Sequence, residues 1–373
     1  MRREAEYRKV PVAAPALIGN EKIYVNDCLD TNWISSNGLY IQRFEDAFAQ
    51  FLGVKHAIAC CNGTAALHLA LLALEIGPGD EVIIPTLTYV ATANAVRYTG
   101  AEVVLADSEP NTWNIDPEKL EALITPKTKA IIPVPLYGHP CDMDPIIELA
   151  NKYDLFVIED SAEALGAKYK EQFSGSIADI STFSFYGNKT ITTGEGGMVV
   201  TNDDHLAANV RLFQGQGMDP QKRYWFPVVG YNYRMTNIAA AIGLAQLENI
   251  DKFLEKRRVI ACLYNEMLTG VHGITLPREE SYAIHSYWMY SILIEDAYGK
   301  TRDETMQLLG KRGVETRPIF YPMHLMPVYG RGDCQGLEVA ADIASKGINL
   351  PTFYELSSEE IEYIASVLRF TYS

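Results

Sequence analysis

Along the first two-thirds of the chain, short apolar, β-branched runs alternate with longer runs whose apolar positions recur at helical spacing. The short runs predict strands at Ala57–Cys61, Glu81–Ile84, Glu102–Ala106, Ala130–Val134, Leu155–Glu159, Ser181–Phe185 and Gly197–Thr201. The longer ones predict helices at Ala65–Leu74, Tyr89–Tyr98, Pro117–Leu123, Pro145–Lys152 and Asp204–Gln214. Nearly continuous apolar strands separated by helices imply a mainly parallel α/β sheet covered on both faces. Ligands of such sheets bind beyond the carboxyl ends of the strands. After Met235 the pattern changes. Thr236–Leu254 predicts one long, Ala-rich helix capped by Thr236, leading through Lys256-Arg257-Arg258 into a smaller C-terminal lobe. That lobe has a strand-like Tyr287–Ile294, a helix-like Arg302–Arg312 and a final helix near Ser358–Leu368. The expected division is an N-terminal arm (1–20), a large domain (21–250) and a small α+β domain (251–373).

Composition narrows the function classes. Of 373 residues, 48% are hydrophobic and 21% charged, as in an ordinary globular protein. The formal net charge of −15 argues against nucleic acid or an acidic membrane surface as a partner, because phosphate contacts need a basic face. It leaves room for a small anion in a locally basic pocket. Cys28, Cys60, Cys61, Cys141, Cys262 and Cys334 form no CxxC pair and no zinc-like spacing with histidine, so buried, reduced thiols and no metal are expected. No apolar signal core follows Met1 and no run approaches the ~18 apolar residues of a membrane span, which makes the cytoplasm the expected location.

The candidate chemistry centres on Lys189, which follows the strand-like Ser184-Phe185-Tyr186-Gly187-Asn188 and precedes Gly194-Glu195-Gly196-Gly197. An ammonium is costly to desolvate. A buried lysine therefore has a lowered pKa and can form a Schiff base with an aldehyde such as pyridoxal phosphate (PLP). A surface lysine in a turn is the ordinary alternative. Asn62-Gly63-Thr64-Ala65 closes a strand and opens a helix, where free N–H groups favour a phosphate or simply form a capped turn. Asp160 ends a buried strand and could keep a pyridine nitrogen protonated, cap a helix or hold a metal. Ser184 could bind the same phosphate or be a polar residue of an alternating strand, and Tyr89 could stack on a flat ring or serve the core. Lys189 lacks the glycine pattern of a P-loop, and no GxGxxG opens the first strand–helix unit.

Taken together, Asn62-Gly63-Thr64, Glu159-Asp160-Ser161-Ala162-Glu163-Ala164, Ser184-Phe185-Tyr186-Gly187-Asn188-Lys189 and Gly230-Tyr231-Asn232-Tyr233-Arg234-Met235-Thr236 resemble the PLP-dependent sugar-nucleotide aminotransferases of the DegT/StrS family. The resemblance runs from about Ile18 to Leu368. It implies the fold type I (aspartate aminotransferase-like) architecture, with a seven-stranded large domain, and a homodimer that could pair further into a tetramer. It gives Lys189 the covalent and proton-moving role, Asp160 the pyridine nitrogen and Glu163 the neighbourhood of the cofactor's 3-hydroxyl. Gly63, Thr64, Ala65 and Ser184 would hold the phosphate, Tyr89 would stack on the ring, and Asn232 would reach the phosphate of the partner subunit.

Further segments, among them Leu136-Tyr137-Gly138-His139-Pro140 and Arg317-Pro318-Ile319-Phe320-Tyr321-Pro322-Met323-His324, resemble members that transfer the amino group of L-glutamate to the 4-keto carbon of GDP-4-keto-6-deoxymannose for O-antigen synthesis. Arg223, Arg234, His285, Arg317 and His324 are then candidates for sugar-nucleotide contacts. Two residues depart from the family pattern: Cys61, where serine is usual, and Ala178, where glycine is expected. The alternatives are a dTDP- or UDP-linked keto-sugar, a non-catalytic regulator on the same fold, or a nucleotide-binding protein without PLP.

Overall fold

The computed structural model describes residues 9–330 and 335–370, so positions 1–8 of the N-terminal arm and Cys334 lie outside the described residues. Its main sheet has seven strands in the spatial order His56–Cys60, Gly197–Thr201, Ile180–Ser184, Phe156–Asp160, Thr128–Ile131, Glu81–Pro85 and Glu102–Ala106. Gly197–Thr201 runs antiparallel to both neighbours, and every other pair is parallel. The helix Gly63–Ala73 is buried along most of its length beneath this sheet, as its nearly uniform apolar sequence requires. No helix among the described residues is long and apolar enough to cross a membrane.

The expected strand Ala130–Val134 stops three residues early. Pro133 and Pro135 have no N–H to give to the ladder. The chain keeps single bonds, Ile132 N–H to Ile83 O (2.8 Å) and Asp160 N–H to Pro133 O (3.0 Å), and then turns into the wall of a cavity.

An aromatic cluster locks one strand of this sheet. Phe44 and Phe48, from the helix Leu39–Leu52, meet Phe183 and Phe185, with ring centroids 5.3 Å apart for Phe44–Phe185 and 5.0 Å for Phe48–Phe183. All four side chains are buried. Offset and edge-on ring pairs of this kind add to the value of the buried area. The strand they hold ends at Ser184, five residues before Lys189, so the cluster fixes where the Lys189 loop departs.

The C-terminal lobe is built on a four-stranded antiparallel sheet in the order Ile274–Thr275, Tyr290–Ile294, Gly347–Leu350, Arg317–Pro318. The single long helix expected after Thr236 is instead two, Asn237–Leu247 and Ile250–Leu268. At the break, Asn249 Nδ2 takes the Ala245 carbonyl (3.1 Å) that its own N–H would need to continue the helix, and that N–H goes to Gln246 O instead (3.1 Å). Lys256-Arg257-Arg258 therefore lies inside the second helix rather than in a connection. This helix joins the two lobes: Ile250 and Phe253 pack into the Phe44 core, while Ile260, Tyr264 and Leu268 pack into the C-terminal core. The expected strand Tyr287–Ile294 begins only at Tyr290, because Tyr287 adopts φ +49°, outside any strand conformation.

Replacing Phe48 with alanine empties the centre of the aromatic cluster. The expected cost is about 3–5 kcal/mol, read as a lower midpoint in urea unfolding with an unchanged slope.

Candidate active site

The sheet gathers the chemistry at its carboxyl edge. A cavity of 540 Å³ opens there, lined by Gly63, Thr64, Tyr89, Asp160, Glu163, Ser184, Lys189 and Arg317 among the residues singled out from the sequence. The C-terminal lobe closes its far wall with Trp288, Met289, Phe320 and Asn349.

One end of the cavity is built for an anion. Asn62 has an extended backbone, and its side chain accepts the N–H of Ala65 (2.8 Å), capping the helix Gly63–Ala73. The N–H groups of Gly63 and Thr64 have no acceptor within the helix, as in any first turn. Thr64 and Ser184 also line this end. Gly63 is required by contact: a Cβ there would stand 2.8 Å from Ser184 Cβ, so only glycine lets the helix start come this close to the strand end. Ala65 is buried and its N–H is taken by Asn62, so it supports the turn from within rather than lining the cavity.

The opposite end holds two acids and one amine. Asp160 Oδ2 accepts from Thr92 Oγ1 (2.7 Å), and Oδ1 accepts from the N–H of Ala162 (3.3 Å). Burial raises the Asp160 carboxyl, and the Thr92 bond and the Lys189 charge pull it back down. Glu163 Oε2 accepts the N–H of Tyr137 (2.8 Å), and Oε1 lies 4.0 Å from Lys189 Nζ. Burial pushes Glu163 up to about 7 and pushes Lys189 down, with the attraction between them opposing both shifts. Burial and the partner's charge thus act on each group in opposite directions, the kind of surroundings that tune buried groups for general acid–base work. Above Lys189 Nζ lies the ring of Trp288, with its centroid 3.7 Å away.

Four cavity residues were not among the site candidates, although Tyr137 and Phe320 lie in segments that carry the resemblance. Thr92 lies one helical turn beyond Tyr89, and its position predicts the bond to Asp160 only once the strand order is known. Tyr137, Trp288 and Phe320 stack on one another from three separate segments, with centroids 6.0 Å apart for Tyr137–Trp288 and 5.3 Å for Tyr137–Phe320.

Other candidates lie elsewhere. His285 is buried outside the cavity, stacked on Tyr287 at 3.9 Å and accepting that residue's N–H at Nδ1 (2.9 Å), and burial holds its pKa well below the usual histidine value. His324 bonds Thr86 Oγ1 through Nδ1 (2.8 Å) and borders a separate groove with Arg97 and Tyr329. Neither lines the cavity: His285 uses Nδ1 for the Tyr287 N–H, and His324 keeps Nε2 buried without a hydrogen-bond partner. Arg223, Asn232 and Arg234 are exposed and lie outside the cavity of their own chain.

Residues 15–369 match the model of the DegT/DnrJ/EryC1/StrS aminotransferase family. The chain belongs to that family. This aminotransferase is 55% identical to the GDP-perosamine synthase of Caulobacter vibrioides, over 96% of its own length and 97% of the relative's. It is 52% identical to the GDP-perosamine synthase of Escherichia coli O157:H7, over 98% and 99%. Among solved structures it superposes on a Streptococcus pneumoniae chain in a PLP form with a TM-score of 0.92, 30% identity and 98% coverage of both chains. The mainly parallel sheet and smaller lobe are those of fold type I.

The residues of the aminotransferase fit PLP. The glycine-tight helix start suits its phosphate, the buried Asp160 its ring nitrogen, and the desolvated Lys189 its aldehyde. Thr88 Oγ1 and Asn188 Oδ1, both buried without a hydrogen-bond partner, belong to residues of the same cavity wall and are open to a ligand.

Two outcomes follow from these electrostatics. Thr92→Val removes a hydrogen bond to a carboxylate, worth about 1.5–3 kcal/mol. PLP affinity, measured by absorbance titration, is expected to fall at least tenfold, and Thr92→Ser to restore most of it. Glu159, on the opposite face of the strand from Asp160, is raised from 4.5 to about 7 by burial. A raised acid stabilises the fold below its unfolded pKa and loses that contribution as pH rises through the folded value. Stability of the PLP-free protein should fall between about pH 4.5 and 7, with Glu163 contributing in the same direction. Glu159→Gln keeps an acceptor for the Gly175 N–H and should reduce that slope in urea melts taken across this range.

Proposed function

We propose that this aminotransferase moves the amino group of L-glutamate to carbon 4 of GDP-4-keto-6-deoxy-D-mannose, giving GDP-perosamine and 2-oxoglutarate. The observation that carries the reading is the 55% and 52% identity, across nearly the full length, to two relatives named GDP-perosamine synthase. The cavity supports it with one desolvated lysine close to a buried acid and an aromatic face, beside a capped helix start suited to an anion.

PLP, when bound, supplies an aldehyde carbon that carries amino groups and a ring that accepts electrons from a deprotonated carbon. Thr64, Ser184 and the N–H groups of Gly63 and Thr64 hold its phosphate. Asp160 holds the proton on its ring nitrogen, Tyr89 covers the ring face, and Glu163 sits by the 3-hydroxyl. Lys189 Nζ is the amine that would hold the aldehyde when no substrate is bound. Once freed, it carries a proton away from the α-carbon of glutamate in one half-reaction and delivers one to sugar carbon 4 in the other. Arg317, at the cavity mouth, meets the nucleotide diphosphate.

The active unit in this reading is a homodimer in the cytoplasm. Asn232 is exposed on its own chain, and nearby Tyr224, Trp225, Phe226 and Val229 are exposed apolar residues that a second subunit would cover. Across that interface Asn232 serves the phosphate end of the neighbouring site, and Arg223 and Arg234 serve the sugar nucleotide there.

Incubation with glutamate and each keto-sugar nucleotide tests the substrate. Formation of 2-oxoglutarate is expected with GDP-4-keto-6-deoxymannose, and its formation only with dTDP- or UDP-linked sugars would overturn the reading. Wild-type protein loaded with PLP should absorb in the visible. Lys189→Ala should still bind PLP through the phosphate and ring contacts but lose turnover, by at least about 10³-fold if proton transfer at Nζ is the role.

A further inference from the structure

Tyr287–Met289 departs from the expected strand, and with His285 and Ser286 it forms a strap that reaches the cavity wall at Trp288 and Met289 and is held by several unusual contacts. Ser286 N–H donates to Gly138 O (3.0 Å), and a Cβ on Gly138 would stand 3.0 Å from the backbone N atoms of both Tyr287 and Trp288. Gly138 itself has φ +105°, a conformation that suits glycine. Arg257 is buried, yet its guanidinium faces main-chain carbonyls: Nη1 donates to Trp288 O (2.7 Å), Thr352 O (3.3 Å) and Tyr287 O (3.4 Å). Burial lowers its pKa to about 10 with no carboxylate offsetting that cost. Tyr287 (φ +49°) and Tyr137 (φ +53°) are both held in the left-handed region, where non-glycine residues are strained.

The end of the strap explains the cost. Trp288 stacks on Tyr137 with 19° between the rings and donates from Nε1 to Asn188 O (2.8 Å), the carbonyl adjoining Lys189. Its ring face meets Lys189 Nζ at 3.7 Å, on a lysine whose side chain is only 13% exposed. A ring needed only to fill the core would satisfy neither the Asn188 anchor nor the alignment with a buried amine.

We propose that Trp288 is a positioning residue for Lys189: its indole face, anchored to Asn188 and braced by Arg257 and Gly138, holds the lysine amine beside Glu163 whenever that amine is free. The inference rests on Lys189 being the reacting lysine. The physical logic is a balance. Burial favours the neutral amine, whereas a ring face favours the ammonium and keeps it directional without adding another full charge. The charged neighbours of Nζ are Glu163 and Asp160, Glu195 and Arg317 line the same cavity, and Arg257 shares a small cavity behind the lysine. The phenols of Tyr89, Tyr137 and Tyr186 line the same cavity, and that of Tyr354 lines the small one.

The test uses PLP-free full-length protein and follows labelling of Lys189 by acetic anhydride against pH, with the labelled peptide quantified by mass spectrometry. The plateau rate reports access to the amine, and the midpoint reports its protonation. Trp288→Leu keeps apolar bulk but removes the ring face. Its midpoint should fall by about one pH unit, so labelling below the midpoint, relative to its own plateau, rises about tenfold. Trp288→Phe keeps a ring without the anchor and should lie between wild type and Trp288→Leu. Arg257→Lys keeps the charge but loses the fork that grips the strap, and its midpoint should fall by a smaller amount. A Trp288→Leu midpoint that stays or rises overturns the proposal, since burial alone then governs the lysine. So does a Trp288→Phe shift equal to that of Trp288→Leu. If Trp288→Leu does not fold by circular dichroism, an unmoved midpoint in both other variants is the overturning result. The visible spectrum of PLP-loaded wild type and Lys189→Ala tests the role of Lys189 separately, so a failure there is distinguishable from a failure of the Trp288 assignment.

Discussion

A desolvated amine is the constraint on which the rest of this active site depends. Lys189 must reach the centre of a cavity where water no longer supports its charge, and yet it must gain and lose a proton there. Burial alone would leave it neutral, and a full ion pair would leave it permanently charged. The chain meets this with two buried carboxyls, Glu163, itself raised to about 7 and standing 4.0 Å away, and Asp160, together with one aromatic face. Burial lowers the lysine's pKa and the nearby carboxyls raise it.

Holding that balance uses both lobes. The large sheet brings Thr64, Asp160, Ser184 and the Lys189 loop to its carboxyl edge, and the Phe44–Phe48–Phe183–Phe185 cluster keeps the last of these strands from shifting. The smaller lobe supplies Trp288, Met289, Phe320 and Asn349. The helix Ile250–Leu268 ties the lobes together, since one end packs in each core and Arg257 at its middle grips the strap that carries Trp288. A change in the relative placement of the lobes would therefore be felt at the lysine as a change in its electrostatic surroundings.

The side a residue faces decides its role at several candidate positions. Glu159 and Asp160 are adjacent, but strand alternation sends Asp160 into the cavity and Glu159 to the opposite side, where it serves Gly175. His285 and His324 sit in segments rich in chemistry-bearing residues, yet each spends its ring on a local bond, to the Tyr287 N–H and the Thr86 hydroxyl. Residue type marked Asp160, His285 and His324 as candidates, and of these only Asp160 faces the cavity.

The sequence by itself determined the parallel sheet, the phosphate turn and the order of Thr64, Asp160, Ser184 and Lys189. These rest on local rules: apolar runs dictate strands, Asn62 caps a helix, and residues that end parallel strands share one edge. It also marked Arg317, which lines the cavity. It did not mark Thr92 or Trp288, it gave Tyr137 no role within its quoted segment, and it extended three elements too far. The strand at Pro133 ended for want of an N–H, the helix at Asn249 because a side-chain amide took a backbone carbonyl, and the strand at Tyr287 because a strained turn aims Trp288 inward. The last of these could be decided only by tertiary structure. A ring facing an amine from another lobe is a through-space contact between segments far apart in the chain, and no local periodicity encodes which way such a side chain points.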